Sequence, residues 1–235
     1  LIYRIKDAGG RPFVTDVLWA VSEAVNRGYT SEVLGAPIVS TTGGNDRYYY
    51  PVPVDYRSLK EIQVAGEIHD ADVLIDFSHV KGHGCCAYGG ACKNLAMGCV
   101  TGETRGQIHA LEGGLMWQED LCTHCESCIA ACRYGANRFT EDGKYEIISH
   151  TCHYCQHCAN ACPQHAITLE PNGFYHFQEG MALSTKAVMD CFAPESRLFI
   201  NLLIDITYVC DCWGLTTPAL VPDIGLLVSH DIVAI

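Results

Sequence analysis

Two runs of four cysteines constrain this chain more than any other feature of its sequence. Both runs have the spacing C-x2-C-x2-C-x3-C, and the second is followed directly by Pro163. In this pattern three closely spaced thiolates bind one face of a 4Fe–4S cluster, and the fourth cysteine ligates the neighbouring cluster. We therefore predict two clusters, one held by Cys122, Cys125, Cys128 and Cys162, the other by Cys152, Cys155, Cys158 and Cys132.

Zinc is the main alternative, because paired C-x2-C units are also typical of structural zinc sites. Zinc takes four ligands, so two runs of this kind would leave surplus thiolates at each ion, and disulfides would not explain the repeated spacing. Two neighbouring 4Fe–4S clusters would act as an electron relay whose potentials depend on hydrogen bonds, solvent exposure and nearby charge.

The composition narrows the cellular setting and the class of partner. The chain has 235 residues and fifteen cysteines, of which eight belong to the two runs. The remaining seven fit a reducing, anaerobic cytoplasm better than a secreted disulfide scaffold. The net charge of −12 disfavours nucleic acid and anionic membranes as partners. No apolar run reaches the length of a membrane span, and the start at Leu1 suggests part of a longer protein.

Strand and helix patterns alternate on both sides of the cysteine runs, which favours an α/β domain with a mainly parallel sheet. The apolar run 71–77 predicts a strand that is buried on both faces. Residues 101–120 and 171–178 are rich in turn formers and are predicted to be connections. The expected arrangement is an α/β domain in two parts, 1–118 and 171–235, interrupted by a ferredoxin-like two-cluster α+β insert at 119–170.

A Gly-rich loop follows the strand at 71–77 and opens a helix, which is where α/β folds place ligand sites. The loop carries His83 and Lys93, and its glycines allow close approach of a bound group. A small-molecule ligand could bind there, with Lys93 meeting an anion, and the alternative is a structural turn with a solvated lysine. The Cys210–Cys212 pair is either redox-active, metal-binding or a pair of buried free thiols. The dense cysteines of the loop match no cluster spacing, and a third metal site among them stays open; they are Cys85, Cys86, Cys92 and Cys99.

In combination these stretches resemble the domain-of-unknown-function 362 family of iron–sulfur centre proteins. The matching segments are residues 7–16, 34–39 and 78–105, both cysteine runs, Cys210–Cys212, and residues 221–225. The resemblance implies the iron–sulfur cofactors but no particular reaction. A weaker likeness links the loop to the nickel-pincer lactate racemases, in which a histidine, a Gly-Gly pair and a lysine have the spacing of His83, Gly89-Gly90 and Lys93. The other nickel-site residues of those racemases are not identifiable here.

Three hypotheses follow for the function. The first is an iron–sulfur electron-transfer protein or redox-enzyme subunit that works with a redox partner protein. The second is a self-contained reductase whose substrate binds at the loop, with His83 as proton donor and Lys93 as anion anchor. The third is a structural scaffold held together by its clusters. A homo-oligomer is compatible with all three.

Overall fold

The computed structural model describes residues 1–148, 151–152, 156–210, 212 and 217–235. The described part is a mixture of short helices and small sheets. The helices are α1 Ile2–Asp7, α2 Leu18–Asn26, α3 Ser31–Leu34, α4 Gly66–His69, α5 Ala91–Gly98, α6 Gly102–Ala110, α7 Ser127–Ala131, α8 His157–Ala161 and α9 Gly173–Met189. The strands are β1 Val14–Asp16, β2 Ile38–Ser40, β3 Tyr49–Tyr56, β4 Leu59–Ala65, β5 Leu74–His79, β6 Lys81–His83, β7 Ala87–Gly89, β8 Leu115–Trp117, β9 Asn137–Phe139, β10 Tyr145–Ile147, β11 Ile167–Leu169, β12 Arg197–Leu203 and β13 Gly225–Ser229.

The expected mixture of helices and strands is confirmed, but a mainly parallel sheet is not seen among the described strands. Parallel pairing occurs between β1 and β2 and between β5 and β12. The other described pairs are antiparallel: β3 with β4, β6 with β7, β8 with β11, β9 with β10 and β12 with β13. Three of these pairs join strands a few residues apart, and so short a connection permits only an antiparallel hairpin.

The main hydrophobic core lies between the β3–β4 hairpin, the three-stranded sheet β13-β12-β5 and helices α5, α6 and α9. Its fully buried side chains include Leu59, Ile62, Leu95, Ile108, Phe177 and Phe199. Helix α9 packs along α5, and the hydroxyl of Ser184 donates to the carbonyl of Ala96 (3.1 Å) in that contact. The core therefore fixes α5, whose first turn borders the Gly-rich loop.

Strand β5 is not buried on both faces, contrary to the expectation from its apolar run. Leu74, Asp76 and Ser78 are buried, whereas the side chain of Phe77 is 56% exposed. Because side chains alternate across a strand, a sheet covered by a helix on one side buries every second residue. The buried face of β5 therefore includes a carboxylate and a hydroxyl.

Both segments expected to be connections contain helices. The side chain of Thr101 caps α6 by accepting the N–H of Thr104 (3.2 Å), which is the usual start of a helix. Helix α9 begins at Gly173, where an added Cβ would lie 2.0 Å from the carbonyl oxygen of Glu112. A glycine at this position thus reflects a close packing contact rather than a flexible linker.

The segment with the cysteine runs is a structural repeat offset by 30 residues. Helix α7 corresponds to α8, β8 corresponds to β10, and β9 corresponds to β11. The strands pair across the two halves, because β9 pairs with β10 and β8 pairs with β11. The halves are therefore interlocked, and neither forms a sheet by itself. The predicted boundaries of the insert at 119 and 170 stay a prediction, and β8 lies just before the first of them.

Candidate functional site

The two cysteine runs occupy equivalent positions in the two halves of the repeat. Cys128 lies in α7 and Cys158 in α8; both are buried, and they share a small hydrophobic cluster with Ile167. The residue before each helix has a left-handed backbone, with φ of 58° at Glu126 and 62° at Gln156. The sequence thus folds the same way twice around its central cysteines. Cys155 lies outside the described residues.

Backbone N–H groups point at several cysteine sulfurs. The N–H of Ala136 donates to Cys132 Sγ (3.2 Å), and the N–H of Ala166 donates to Cys162 Sγ (3.3 Å). In the first loop, the N–H of His124 donates to Cys122 Sγ (3.4 Å). Hydrogen bonds of this kind stabilise the thiolate form, which is the form that binds a metal cluster. The donor pattern therefore fits thiolate ligands better than neutral buried thiols.

Electrostatic contacts connect cysteines of the two runs. Burial is the largest cause that raises the pKa of Cys128, and the thiols of Cys162 and Cys158 add to it. Burial also raises the pKa of Tyr145, followed by the charges of Cys158 and Cys128. Residues 34 positions apart in the sequence, Cys128 and Cys162, are thus close in space.

The Gly-rich loop forms a hairpin, β6 and β7, beside the first turn of α5. The side chain of His83 is 5% exposed, and its Nδ1 accepts the backbone N–H of Cys85 (3.2 Å). Burial, and then the charge of Lys93, lowers the pKa of His83 to about 4. The imidazole is therefore neutral at neutral pH and is a weak candidate for the proton donor expected from the sequence.

Lys93 projects from α5 toward the cysteines of the 210–212 segment. Its Nζ donates to Cys210 Sγ at 3.7 Å. Burial acts to lower the pKa of Lys93, but the thiols of Cys210 and Cys212 act in the opposite direction and leave it above its ordinary value. Lys93 thus keeps its positive charge in a partly buried position, as an anion anchor would require.

The structure brings Cys210 and Cys212 to His83, which lies about 130 residues earlier in the sequence. One ligand atom from each of the three residues lies within 4.8 Å of the others. The four loop cysteines do not form such a group among the described residues: Cys99 belongs to the main core, and Cys92 Sγ contacts Thr185 Oγ1 (3.3 Å). Among the described residues, the thiols that group with His83 are therefore those of Cys210 and Cys212.

A buried polar group that sequence reasoning missed supports α5. Asn94 Nδ2 donates to Asp76 Oδ1 (2.6 Å), and Ser78 Oγ donates to the other oxygen of Asp76. Asn201 Oδ1 accepts the N–H of Ala91 at the first turn of α5 (3.1 Å). Burial raises the pKa of Asp76 to about 6, although both hydrogen bonds oppose the shift. The signal available in the sequence was the presence of Asp76 and Asn201 inside otherwise apolar segments.

The loop also lies near the second cysteine run. Burial is the main cause that raises the pKa of Cys85, followed by the charge of Glu112, and the charge of Cys152 makes a smaller contribution. The carbonyl of Cys85 accepts the side-chain amide of Gln178 from α9 (2.9 Å), which fixes the tip of the hairpin. Cys85 of the hairpin therefore lies near Cys152, one of the predicted ligands of the second cluster.

With this geometry described, the whole chain, residues 1–235, matches the family described as Domain of unknown function (DUF362). The chain belongs to the DUF362 family. The family resemblance given by the sequence is thus confirmed. No helix among the described residues of this DUF362 chain is long and apolar enough to cross a membrane.

The DUF362 chain is also similar to parts of several characterised proteins. It is 40% identical over 58 residues to the 4-hydroxyphenylacetate decarboxylase activating enzyme of Clostridium scatologenes, covering 23% of this chain and 19% of the relative. It is 32% identical over 95 residues to a subunit of the tetrathionate reductase of Archaeoglobus fulgidus, covering 38% of this chain and 44% of the relative. It is 38% identical over 50 residues to a ferredoxin of Pyrobaculum islandicum, covering 21% of this chain and 47% of the relative. The chain thus spans less than half the length of each of these relatives.

Proposed function

We propose that this chain is an iron–sulfur electron-transfer protein or redox-enzyme subunit that holds two 4Fe–4S clusters. The observation that carries the proposal is the interlocked repeat, in which two equivalent helices carry Cys128 and Cys158, one cysteine of each run. A mononuclear zinc site needs four ligands and no such duplication. A pair of clusters bound by crossed cysteine runs requires it.

The crossed assignment of ligands draws support from the contacts between the runs. Cys128 interacts with Cys162, the fourth ligand proposed for the first cluster, more strongly than with Cys158 of the second. Tyr145 interacts with Cys158, Cys128 and Cys132, so it lies near ligands assigned to both clusters and does not distinguish the assignments. With Cys155 assigned from the motif alone, the proposed sets are Cys122, Cys125, Cys128 and Cys162 for one cluster and Cys152, Cys155, Cys158 and Cys132 for the other.

Each cluster would supply a site that accepts or gives up one electron. The chain's own contribution is to hold the thiolates and to adjust the charge they feel. The N–H groups of Ala136 and Ala166 donate to the two crossing sulfurs at nearly equal distances, which favours similar environments for the two clusters. Equivalent environments suit a relay, because electrons pass readily between carriers of similar potential.

The relatives support a redox role and a protein partner. Matches to a reductase subunit and to a ferredoxin are what an electron-transfer segment would give. We propose that a redox partner protein exchanges electrons with the clusters, and that the ferredoxin-like unit at 119–170 interrupts an α/β domain formed by 1–118 and 171–235. A cytoplasmic location, an anaerobic setting and a homo-oligomer stay predictions.

A second candidate function is a reductase whose substrate binds at the His83–Lys93 loop. It is favoured by the electrostatic contact between Cys85 of the hairpin and Cys152 of the second run. Lys93 keeps its charge and could hold an anionic substrate, whereas the neutral His83 suits a hydrogen-bond or ligand role better than proton donation.

Electron paramagnetic resonance of the reduced protein tests the proposed relay. Anaerobically purified protein is titrated with a low-potential reductant, and its spectra are recorded together with those of the Lys93→Met variant. A relay predicts reversible uptake of two electrons per chain with magnetic interaction between the clusters, in both proteins. Uptake of only one electron, or no reversible reduction, would contradict it. If the variant still takes up both electrons but no longer reduces a substrate that the wild-type protein reduces, the reductase function is supported.

A further inference from the structure

We propose that His83, Cys210 and Cys212 form a mononuclear site for a thiophilic divalent cation such as Zn²⁺, separate from the eight proposed cluster ligands. The ligand atoms of these three residues lie within 4.8 Å of one another. Atoms that share one zinc ion at bond lengths of about 2.0–2.3 Å lie about 3.3–3.8 Å apart, so only a small closure of the group is needed.

The types of ligand agree with this cation. Two thiolates and one imidazole are a donor set that zinc takes in proteins, and thiolates disfavour magnesium and calcium. Two thiolates also balance the charge of a divalent ion. His83 is neutral at neutral pH, and its Nδ1 accepts the N–H of Cys85. Binding of the cation would replace that hydrogen bond, either directly at Nδ1 or at Nε2 with the ring proton moved to Nδ1.

The fold holds the two halves of the site together by close backbone contacts. The N–H of Gly82 donates to the carbonyl of Thr207 (2.8 Å), which connects the hairpin to the segment before Cys210. A Cβ at Gly82 would lie 2.1 Å from the carbonyl oxygen of Tyr208, so only glycine permits this approach. The ligand residues, although distant in sequence, are therefore brought together by ordered main chain.

Further contacts at Cys210 suit a thiolate. Its Sγ accepts the backbone N–H of Cys212 (3.5 Å) and the ammonium of Lys93 (3.7 Å), and it is buried. An ammonium group beside the sulfurs partly neutralises them when no cation is bound. With a divalent ion in place, the two thiolates cancel the charge of the ion, and the ammonium of Lys93 leaves the site with a net positive charge. Three protein ligands leave the fourth position open, and we assign it to water or an anionic oxygen ligand near Lys93.

Cys212 is exposed, whereas Cys210 and His83 are buried. The site is therefore accessible from solvent on the side of Cys212, which gives the cation a route of entry. The exposure also makes Cys212→Ser the variant that disturbs folding least, since its side chain contributes little to the core.

Zinc binding to anaerobically purified protein with its clusters intact tests the proposal. Zinc alone is added against a competing chelator, and the bound metal is examined by X-ray absorption at the zinc edge, which iron does not obscure. We expect one zinc ion per chain with two sulfur ligands at about 2.3 Å and light-atom ligands at about 2.0 Å. Cys210→Ser and Cys212→Ser should each weaken binding by at least about 100-fold, more than the loss of an outer-shell partner costs.

The matched control is Cys191→Ser, which removes a half-buried thiol elsewhere in the chain. It should bind zinc like the wild-type protein, and all three variants should keep the iron and sulfide content of the wild type. An all-sulfur zinc environment, or zinc affinity unchanged in Cys212→Ser, would overturn the proposal by placing the metal elsewhere. Because iron and sulfide are measured separately, that result is distinct from a failure of the proposed clusters.

Discussion

Replacing Asp76 by asparagine should change how the stability of this protein depends on pH. Asp76 is buried on the inner face of β5, and its pKa of about 6 is above the ordinary value of 3.8 because burial disfavours the charged carboxylate. A carboxyl group with a raised pKa in the folded state holds its proton to higher pH than the unfolded chain does. The native state then binds more protons, so its stability falls as the pH rises from about 4 through 6.

The size of the effect follows from the two pKa values. Above pH 6 the ionised Asp76 costs about 3 kcal/mol of folding free energy, since one pKa unit corresponds to about 1.4 kcal/mol. At pH 5 only part of this cost is present, about 1.6 kcal/mol by the same relation. Asparagine does not titrate, so the free energy of unfolding of Asp76→Asn relative to wild type should rise by about 1.4 kcal/mol between pH 5 and pH 8.

Urea unfolding under anaerobic conditions, followed by circular dichroism at pH 5, 6, 7 and 8, measures this difference. The hydrogen bonds that Asn94 and Ser78 donate to Asp76 change with the substitution. Their loss changes the free energy of unfolding of the variant by the same amount at every pH and leaves the pH dependence of the difference unchanged. Asp72→Asn, which removes an exposed carboxylate of the same segment, measures the effect of losing one charge. A pH-independent difference between Asp76→Asn and wild type, or a difference that falls with pH, would refute the reasoning.

Two further predictions concern the cluster ligands and the hairpin. If the fourth cysteine of each run ligates the other run's cluster, the double variant Cys125→Ser, Cys162→Ser loses ligands of one cluster and keeps about four iron atoms per chain. The double variant Cys125→Ser, Cys132→Ser then loses a ligand of each cluster. The reverse pattern in iron analysis would exclude the crossed assignment. Gly82→Ala should lower the free energy of unfolding by at least about 2 kcal/mol, because its Cβ overlaps a backbone oxygen. Gly106→Ala, in α6 with no atom within 4 Å of the added Cβ, should instead raise it by about 0.5–1 kcal/mol, and equal effects in urea unfolding would contradict the packing argument.

Local patterns in the sequence were sufficient to predict several elements. Apolar residues at helical spacing in 18–26 predict the helix that the structure has at α2 Leu18–Asn26, and the turn formers at 141–144 predict the β9–β10 hairpin. The apolar runs 197–206 and 224–228 predict strands, and β12 and β13 lie there. These elements depend on neighbouring residues, and their signals are local.

Elements that depend on distant contacts were predicted poorly. Gly173 signals a linker by itself, and only the carbonyl of Glu112 beside it explains why a helix starts there. The run 71–77 resembles a strand buried on both faces, but Phe77 on one face of β5 is exposed. The direction of strand pairing likewise depends on which strands become neighbours in a sheet, and the apolar runs by themselves do not specify that.

The two candidate sites also differ in whether they depend on local sequence or on contacts between distant residues. The proposed cluster ligands rest on the cysteine spacing, which is a local signal in the sequence. The grouping of His83 with Cys210 and Cys212 depends instead on the contact of Gly82 with the segment before Cys210. Each of these residues could be named from the sequence as a possible ligand, but only the folded chain places them together.

The most direct test of the central claim is the iron and acid-labile sulfide content of protein purified without oxygen. Two 4Fe–4S clusters predict about eight iron atoms and about eight sulfide ions per chain, with the brown colour of such clusters. Colourless protein that contains about two zinc ions bound to the cysteine runs, and no sulfide, would contradict the account.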